Sequence, residues 1–357
     1  MAVASPVDRA DLRQRVTKAL DALLSRQRPG LAAISPDLEP MADALSEFLL
    51  SGGKRLRPAF AYWGWRGAGG ADSDEVVAAV GCLELLQACA LIHDDVMDAS
   101  DTRRGAPAMH RRFAALHRAE CWQGDPEGFG ESAAILLGDF CLIWADEMYN
   151  TSGLDAAALV RGQPVYDWMR TELMAGQYLD LLEQARGGSD AESALLVARY
   201  KSAKYTVERP LHLGAALAGA PQSVVDAYTS YGLPLGEAFQ LRDDLLGVFG
   251  DPKQTGKPAG DDLREGKRTV LMTLTVDQAT PRQAAVLERH LGDPDLTPEG
   301  VDELRDVIEG TGAVAQSERL ISERTERALS ALARADIDAT ARDVLGELAA
   351  AATARRL

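Results

Sequence analysis

Residues Leu91–Gly105 read LIHDDVMDASDTRRG, with four aspartates inside eight residues and two adjacent arginines just beyond them. An apolar run, LLQACALI, leads directly into this acidic group. If Asp74 to about Asp98 form one helix, Gln87, Leu91, Asp94 and Asp98 fall on one stripe, and Asp95 points elsewhere. Asp94 and Asp98 are then one helical turn apart, which costs an isolated helix roughly 0.2–0.5 kcal/mol when both are charged. The negative end of the helix dipole adds to that cost. A hard divalent cation bound with a diphosphate would remove both objections, because Mg²⁺ prefers oxygen donors and keeps water or phosphate in its shell. A solvated acidic helix end is the plainer alternative. The apolar run before it and Arg103–Arg104 after it favour the metal site.

Outward from this stretch, helical patterning dominates: apolar residues recur at three- and four-residue spacing between short Gly, Pro and Asp breaks. Breaks are expected near 28–30, 66–71, 123–130, 151–154, 186–190, 219–222 and 250–260. Ser73 ahead of the acidic turn DEVV marks a helix start. No alternating strand and no βαβ rhythm is seen, and CWQGDPEGFGES reads as a mobile surface loop. The expectation is a single all-α domain over residues 1–357, with a motif-bearing core at about 50–270 and peripheral helices at about 271–357.

A second acidic group lies in FQLRDDLLGVFGD, where Gln240, Asp243, Asp244 and Gly247 share a face. The i+4 partner of Asp243 is glycine, so fewer metal contacts are expected here, chiefly through Asp243. The chain has only seven lysines, and most sit in short motifs: SGGKRLRP, YKSAKY, KQTGKP and EGKR. Their retention in an arginine-rich chain suggests specific use toward phosphate oxygen. GDPKQTGKP is not a nucleotide phosphate loop, since Pro258 replaces Ser or Thr and an acidic helix precedes it where a strand is needed. The five histidines show no zinc spacing. His93 is read as a group orienting the neighbouring Asp94.

Bulk properties bound the function. The 54 acidic and 38 basic residues give a net charge of −16, which disfavours a nucleic-acid or anionic-membrane surface. Cys82, Cys89, Cys121 and Cys141 form no CxxC pair, and Cys82 and Cys89 read as buried thiols. The start MAVASPVDRADLRQR has no apolar signal core, and no uninterrupted apolar run of about 18 residues is found. A cytoplasmic protein with no membrane span is expected.

Taken in order, GGKRLRP, DDVMD, TRRG, GQYLD, KSAKY, FQLRDD, TGK and EGKR resemble the trans-isoprenyl diphosphate synthases, or polyprenyl synthetases, and most closely the bacterial geranylgeranyl diphosphate synthases. The resemblance implies helices around a deep central cavity, a homodimer, and Mg²⁺. Its substrates would be isopentenyl diphosphate and an allylic diphosphate (dimethylallyl, geranyl or farnesyl). Carried over by position, Lys54, Arg57, Gln87 and Arg104 would hold the isopentenyl diphosphate. Asp94, Asp98 and Asp243 would ligate metal, and Arg103, Lys201, Ser202, Gln240, Lys257 and Lys267 would grip the allylic diphosphate. Gln177 and Asp180 would lie beside the metals. Asp94, Asp98, Arg103, Lys201, Asp243 and Lys257 would carry catalysis.

The resemblance also implies head-to-tail condensation: ionisation of the allylic diphosphate, attack by the alkene, and loss of a proton to the released diphosphate. Chain length is gated in the family four and five residues before the first aspartate, here Ala90 and Cys89. Both are small, which implies a C20 or longer product. The helical wheel supports Ala90 but puts Cys89 off the stripe. A terpene cyclase has no need of the second diphosphate site in GGKRLRP, Gln87 and Arg103–Arg104, and a non-catalytic regulatory subunit has no need of the three aspartates.

Overall fold

The computed structural model describes residues 6–187, 190–250 and 260–353, and it is helical almost throughout. The described chain falls into two compact units, residues 1–62 with 70–161 and residues 63–69 with 162–357.

The first unit holds α1 (Leu12–Ile34), α2 (Glu39–Leu50), the start of α3 (Leu56–Gly67), α4 (Asp74–Met97), α5 (Met109–Ala119) and α6 (Pro126–Asn150). Helix α4 is the axis of its core, packed against α1 and α6 and buried along most of its length. Ser73 caps it as expected, accepting from the Val76 amide at 3.3 Å, a contact worth about 1 kcal/mol. Helix α1 does not break at 28–30. It runs on through Pro29 to Ile34, because Leu20, Leu23, Leu24 and Leu31 on both sides of the proline bury one continuous face.

CWQGDPEGFGES is also not a long loop. Asp125 accepts from the Glu127 and Gly128 amides at 3.1 Å and starts α6 at Pro126. The one strand pair among the described residues is β1 (Thr102–Arg103) with β2 (Ala106–Pro107). It is a four-residue hairpin stem too short to register as alternation. Two helices, α4 and α6, are long and apolar enough to cross a membrane; neither is an unbroken apolar run, because Glu84 interrupts the first and Asp139 the second. The apolar window of α4 is 72% buried within the protein.

The second unit holds the end of α3, most of α7 (Ala156–Arg186), α8 (Ala191–Val197), a π-helical segment (Ala198–Glu208), α9 (Arg209–Ala218) and α10 (Gln222–Phe249). It continues with α11 (Asp261–Arg264), α12 (Val270–Gln278), α13 (Pro281–His290), α14 (Pro298–Gly310), α15 (Ala313–Arg334) and α16 (Ala339–Thr353). Leu241, Leu245 and Val248 of α10 share an apolar cluster with Leu263, Leu271, Leu287, Leu304 and Ile321. The C-terminal helices therefore support the helix that carries the second acidic group. Tyr231 of α10 donates to the Leu345 carbonyl at 2.7 Å, and Tyr228 donates to that of Gly64 at 3.0 Å.

The π-helical segment is held by glycines. A Cβ at Gly176 of α7 would lie 2.7 Å from the carbonyl carbon of Tyr200, and one at Gly236 of α10 would lie 2.7 Å from Cα of Ala203. Only glycine lets both helices approach this backbone so closely. π-helical turns are uncommon and concentrate at functional sites; this one carries Lys201 and Ser202.

Candidate active site

In the first unit, α4 is buried on nearly every side until its last three turns. There Gln87, Ala90, Leu91, Asp94 and Asp98 are only half-buried, while Leu86, Cys89, Ile92 and Asp95 stay covered. The stripe expected from helical spacing is thus uncovered, together with half-buried His93 and Val96 and exposed Met97 in the last turns. Asp98 caps the helix C-terminus, its amide donating to the Asp94 carbonyl at 2.8 Å. Asp95 turns inward and accepts from Arg103 Nε at 2.8 Å, which ties the hairpin to the helix end. The Arg103 guanidinium also stands 3.6 Å from Asp94.

The GGKRLRP loop and the hairpin tip meet in the same unit. Arg55, at φ 49°, is buried and donates to Glu84 of α4 at 2.5 Å and to the Leu49 carbonyl at 2.6 Å. Arg104 lies over the Phe48 ring at 5.1 Å and donates to the Phe48 carbonyl at 3.2 Å. Burial lowers the Arg104 pKa; Glu84 opposes the shift, and Arg55, Arg103 and Arg57 add to it. Three other guanidinium groups are therefore close enough to act on that of Arg104, an arrangement suited to a polyanion. Lys54 is exposed on this loop, and Arg57 and Gln87 are half-buried.

His93 does not orient Asp94. Its Nε2 is 2.9 Å from the Ile135 carbonyl of α6, and its Nδ1 is 3.8 Å from Sγ of Cys89, one turn earlier on α4 itself. Gly138 of α6 makes room for the ring: a Cβ there would lie 2.8 Å from His93 Cε1. Cys89 is fully buried on that side, away from half-buried Ala90, and burial raises its thiol pKa to about 12.

In the second unit, Lys201 donates to Asp180 at 2.6 Å, joining KSAKY to GQYLD. Ser202 and Gln177 are half-buried. On α10, Gln240 donates to Asp244 at 2.7 Å. Asp244 is turned into the protein and its pKa is raised to about 8, mainly by burial, with Asp262 and Asp243 adding repulsion. Asp243 stays half-buried. Lys267 pairs with Glu265 at 2.7 Å and stands 3.7 Å from Asp262. Lys257 lies outside the described residues.

Among the described residues no three His, Cys, Asp or Glu side chains gather to hold a metal by themselves. The donors that are present are hard oxygens in pairs. This set suits an ion that completes its shell with water and phosphate oxygen. Sequence reasoning missed Arg55 and Glu84. Arg55 stood inside a motif already singled out, but Glu84 was an apparent interruption of an apolar run.

The Polyprenyl synthetase family matches residues 39–309. A geranylgeranyl diphosphate synthase of Saccharolobus solfataricus is 30% identical over 277 residues, which is 77% of this chain and 78% of that protein. A (2E,6E)-farnesyl diphosphate synthase of Mycobacterium tuberculosis is 33% identical over 264 residues, 73% of this chain and 68% of that one. The solved structure of geranylgeranyl pyrophosphate synthase from Corynebacterium glutamicum, complexed with isoprenyl diphosphate and magnesium, matches with a TM-score of 0.94 at 44% identity, covering 97% of this chain and 99% of that one. An all-helical isoprenoid-synthase fold with acidic motifs on two of its helices defines the class. The chain belongs to the polyprenyl synthetase family. It is a trans-prenyltransferase that makes a prenyl diphosphate from isoprenoid diphosphate substrates.

Proposed function

We propose that the enzyme is Mg²⁺-dependent and condenses isopentenyl diphosphate with an allylic primer to give geranylgeranyl diphosphate (C20) or a longer product. One observation carries this reading. The uncovered face of α4 joins the acidic pair Asp94–Asp98 to a small apolar residue, Ala90, one turn before it. A hydrocarbon anchored at its diphosphate end by the acids would extend along that face, and no bulky side chain on it stands at position 90.

Asp94, Asp98 and Asp243 would hold the metal. When bound, Mg²⁺ would offset the charge that develops on the departing diphosphate. Arg103, Lys201, Ser202, Gln240, Lys257 and Lys267 would bind the allylic diphosphate, and fixed cations there stabilise that charge without reorganising. Arg103 is already aligned by Asp95, and Lys201 by Asp180. Lys54, Arg57, Gln87 and Arg104 would hold the isopentenyl diphosphate, with Glu84 setting the Arg55 guanidinium behind them. The released diphosphate would take the proton. A homodimer belongs to the same reading: Ile135, Leu136 and Ile143 are exposed on α6 and would be covered by a second copy.

The test is incubation of the purified chain with labelled isopentenyl diphosphate and, in turn, dimethylallyl, geranyl and farnesyl diphosphate, with Mg²⁺ and with EDTA. Products of C20 or above that vanish with EDTA are expected. A series that stops at C15, or that persists without divalent metal, rejects the reading.

A further inference from the structure

The π-helical segment that carries Lys201 and Ser202 is held at both ends by buried acids. At its start, Arg199 donates to one oxygen of Glu237 on α10, at 3.0 Å from Nε and 2.8 Å from Nη2. Arg324 of α15 donates to the other oxygen at 2.8 Å. At its end, Lys204 donates to Glu172 of α7 at 2.9 Å. Arg209, the first residue after the segment, donates to both oxygens of the same carboxylate, at 2.6 and 2.8 Å. Glu172 is only 6% exposed. Burial would raise its pKa, but the bonds from Arg209 and Lys204 prevail and hold it below the usual carboxylate range.

Lys201 lies between these two attachments. Glu172, Gly176 and Asp180 are spaced four apart and share a face of α7. Along that face Glu172 takes Lys204, Gly176 meets the backbone at Tyr200, and Asp180 takes Lys201 at 2.6 Å. From α10, Gly232 and Gly236 admit the backbone at Glu208 and Ala203, where added Cβ atoms would lie 2.9 and 2.7 Å from the respective Cα. A π-helical bond closes over one residue more than an α-helical one, so reversion to α-helix would shift the register by a residue, about 100° of rotation. With the segment tied at Arg199 and at Lys204–Arg209, that shift cannot occur without breaking a buried ion pair. Glu237 also ties α15, whereas the Glu172 bonds go to the segment and the residue after it.

We propose that Glu172 is a positioning residue for the allylic diphosphate: by anchoring Lys204 and Arg209 it keeps the segment in π-helical register and so presents Lys201 beside Asp180. This rests on the reading of Lys201 as a ligand of that diphosphate. It assigns the second lysine of KSAKY to the fold and not to phosphate, and Glu172 acts through Lys201 and not by contact with substrate.

The experiment measures steady-state kinetics of the full chain with Mg²⁺, varying geranyl diphosphate and isopentenyl diphosphate in turn, with circular dichroism and melting temperature as fold controls. Glu172→Gln, Lys201→Met and the double variant are compared with the wild type. Glu172→Gln should raise the KM for geranyl diphosphate about tenfold and leave that for isopentenyl diphosphate within about twofold. In the Lys201→Met background the same substitution should add less than about twofold, because both changes remove one interaction. Should Glu172→Gln not fold, Lys204→Met, which leaves the Arg209 pair in place, goes through the same cycle with the same expectations. An unchanged KM for geranyl diphosphate, an equal rise in both constants, or an undiminished rise on top of Lys201→Met overturns the proposal. A Lys201→Met variant with the wild-type KM for geranyl diphosphate overturns the ligand reading of Lys201, and the proposal with it.

Discussion

Arg55 and Glu84 form a buried ion pair at 2.5 Å, with 2% and 5% of the side chains exposed. The pair fastens the GGKRLRP loop to the middle of α4, and Arg55 accepts a left-handed backbone to make it. Lys54 beside it is exposed and Arg57, in the first turn of α3, is half-buried, so one motif contains both a structural cation and candidate ligand cations. Removing one partner strands a charge in the protein interior, which typically costs 3–5 kcal/mol. Glu84→Ala should therefore lower stability by about that amount. Guanidinium unfolding checks it, and a change below about 1 kcal/mol would show the pair to be solvated in solution.

Chain length should respond at Ala90 and much less at Cys89. Ala90 lies on the uncovered face of α4, whereas Cys89 is fully buried toward His93 and α6. Ala90→Phe is expected to shift the product from C20 toward C15 with the fold intact. Cys89→Phe overfills a packed site and should cost roughly 1–3 kcal/mol of stability. Chromatography of the dephosphorylated products and melting curves for both variants separate the two effects. Unchanged length in Ala90→Phe would remove position 90 from the hydrocarbon path.

The backbone carrying Lys201 should be sensitive to bulk at two glycines. Methyl groups at Gly176 and Gly236 would collide with Tyr200–Lys201 and Ala203 respectively. Gly236→Ala and Gly176→Ala should each cost about 1–3 kcal/mol through overpacking. Both should also raise the KM for the allylic diphosphate severalfold and leave that for isopentenyl diphosphate near the wild-type value. Equal change in both constants would mean a general loss of structure.

Much of this was legible in the sequence because it is local. Helical spacing located the uncovered stripe on α4, and Ser73 marked where that helix begins. The acids at 94 and 98 are also set by spacing alone. What escaped notice depends on contacts between residues far apart in the chain. The pairing of Arg55 with Glu84 spans 29 residues, and no pattern around Glu84 shows that an arginine will meet it. His93 sits beside Asp94 in sequence, yet a 3.6-residue period turns successive side chains about 100° apart, and its ring goes to α6. Pro29 is a helix breaker by its own chemistry, but the leucines on both sides of it bury one face.

Stability should fall in mild acid through His212. This buried ring lies between Arg209, which approaches its Nδ1 at 3.2 Å, and Thr229, whose Oγ1 is 3.0 Å from its Nε2. Arg209 can only donate, so Nδ1 must accept and the proton sits on Nε2, facing Thr229. Thr229 in turn donates to the Val225 carbonyl at 3.1 Å, which leaves its oxygen ready to accept. A second proton on the ring would displace the Arg209 bond and place two cations together. Burial first, then Arg209 and Lys204, push the His212 pKa from 6.5 down to about 4. Between those values the unfolded chain binds the extra proton and the folded chain does not. The contribution is therefore whole above pH 6.5 and is lost as pH falls toward 4, reaching at most about 3 kcal/mol. Urea midpoints across that range should drop more steeply for the wild type than for His212→Asn. Parallel curves would mean that the ring is neutral in both states or charged in both.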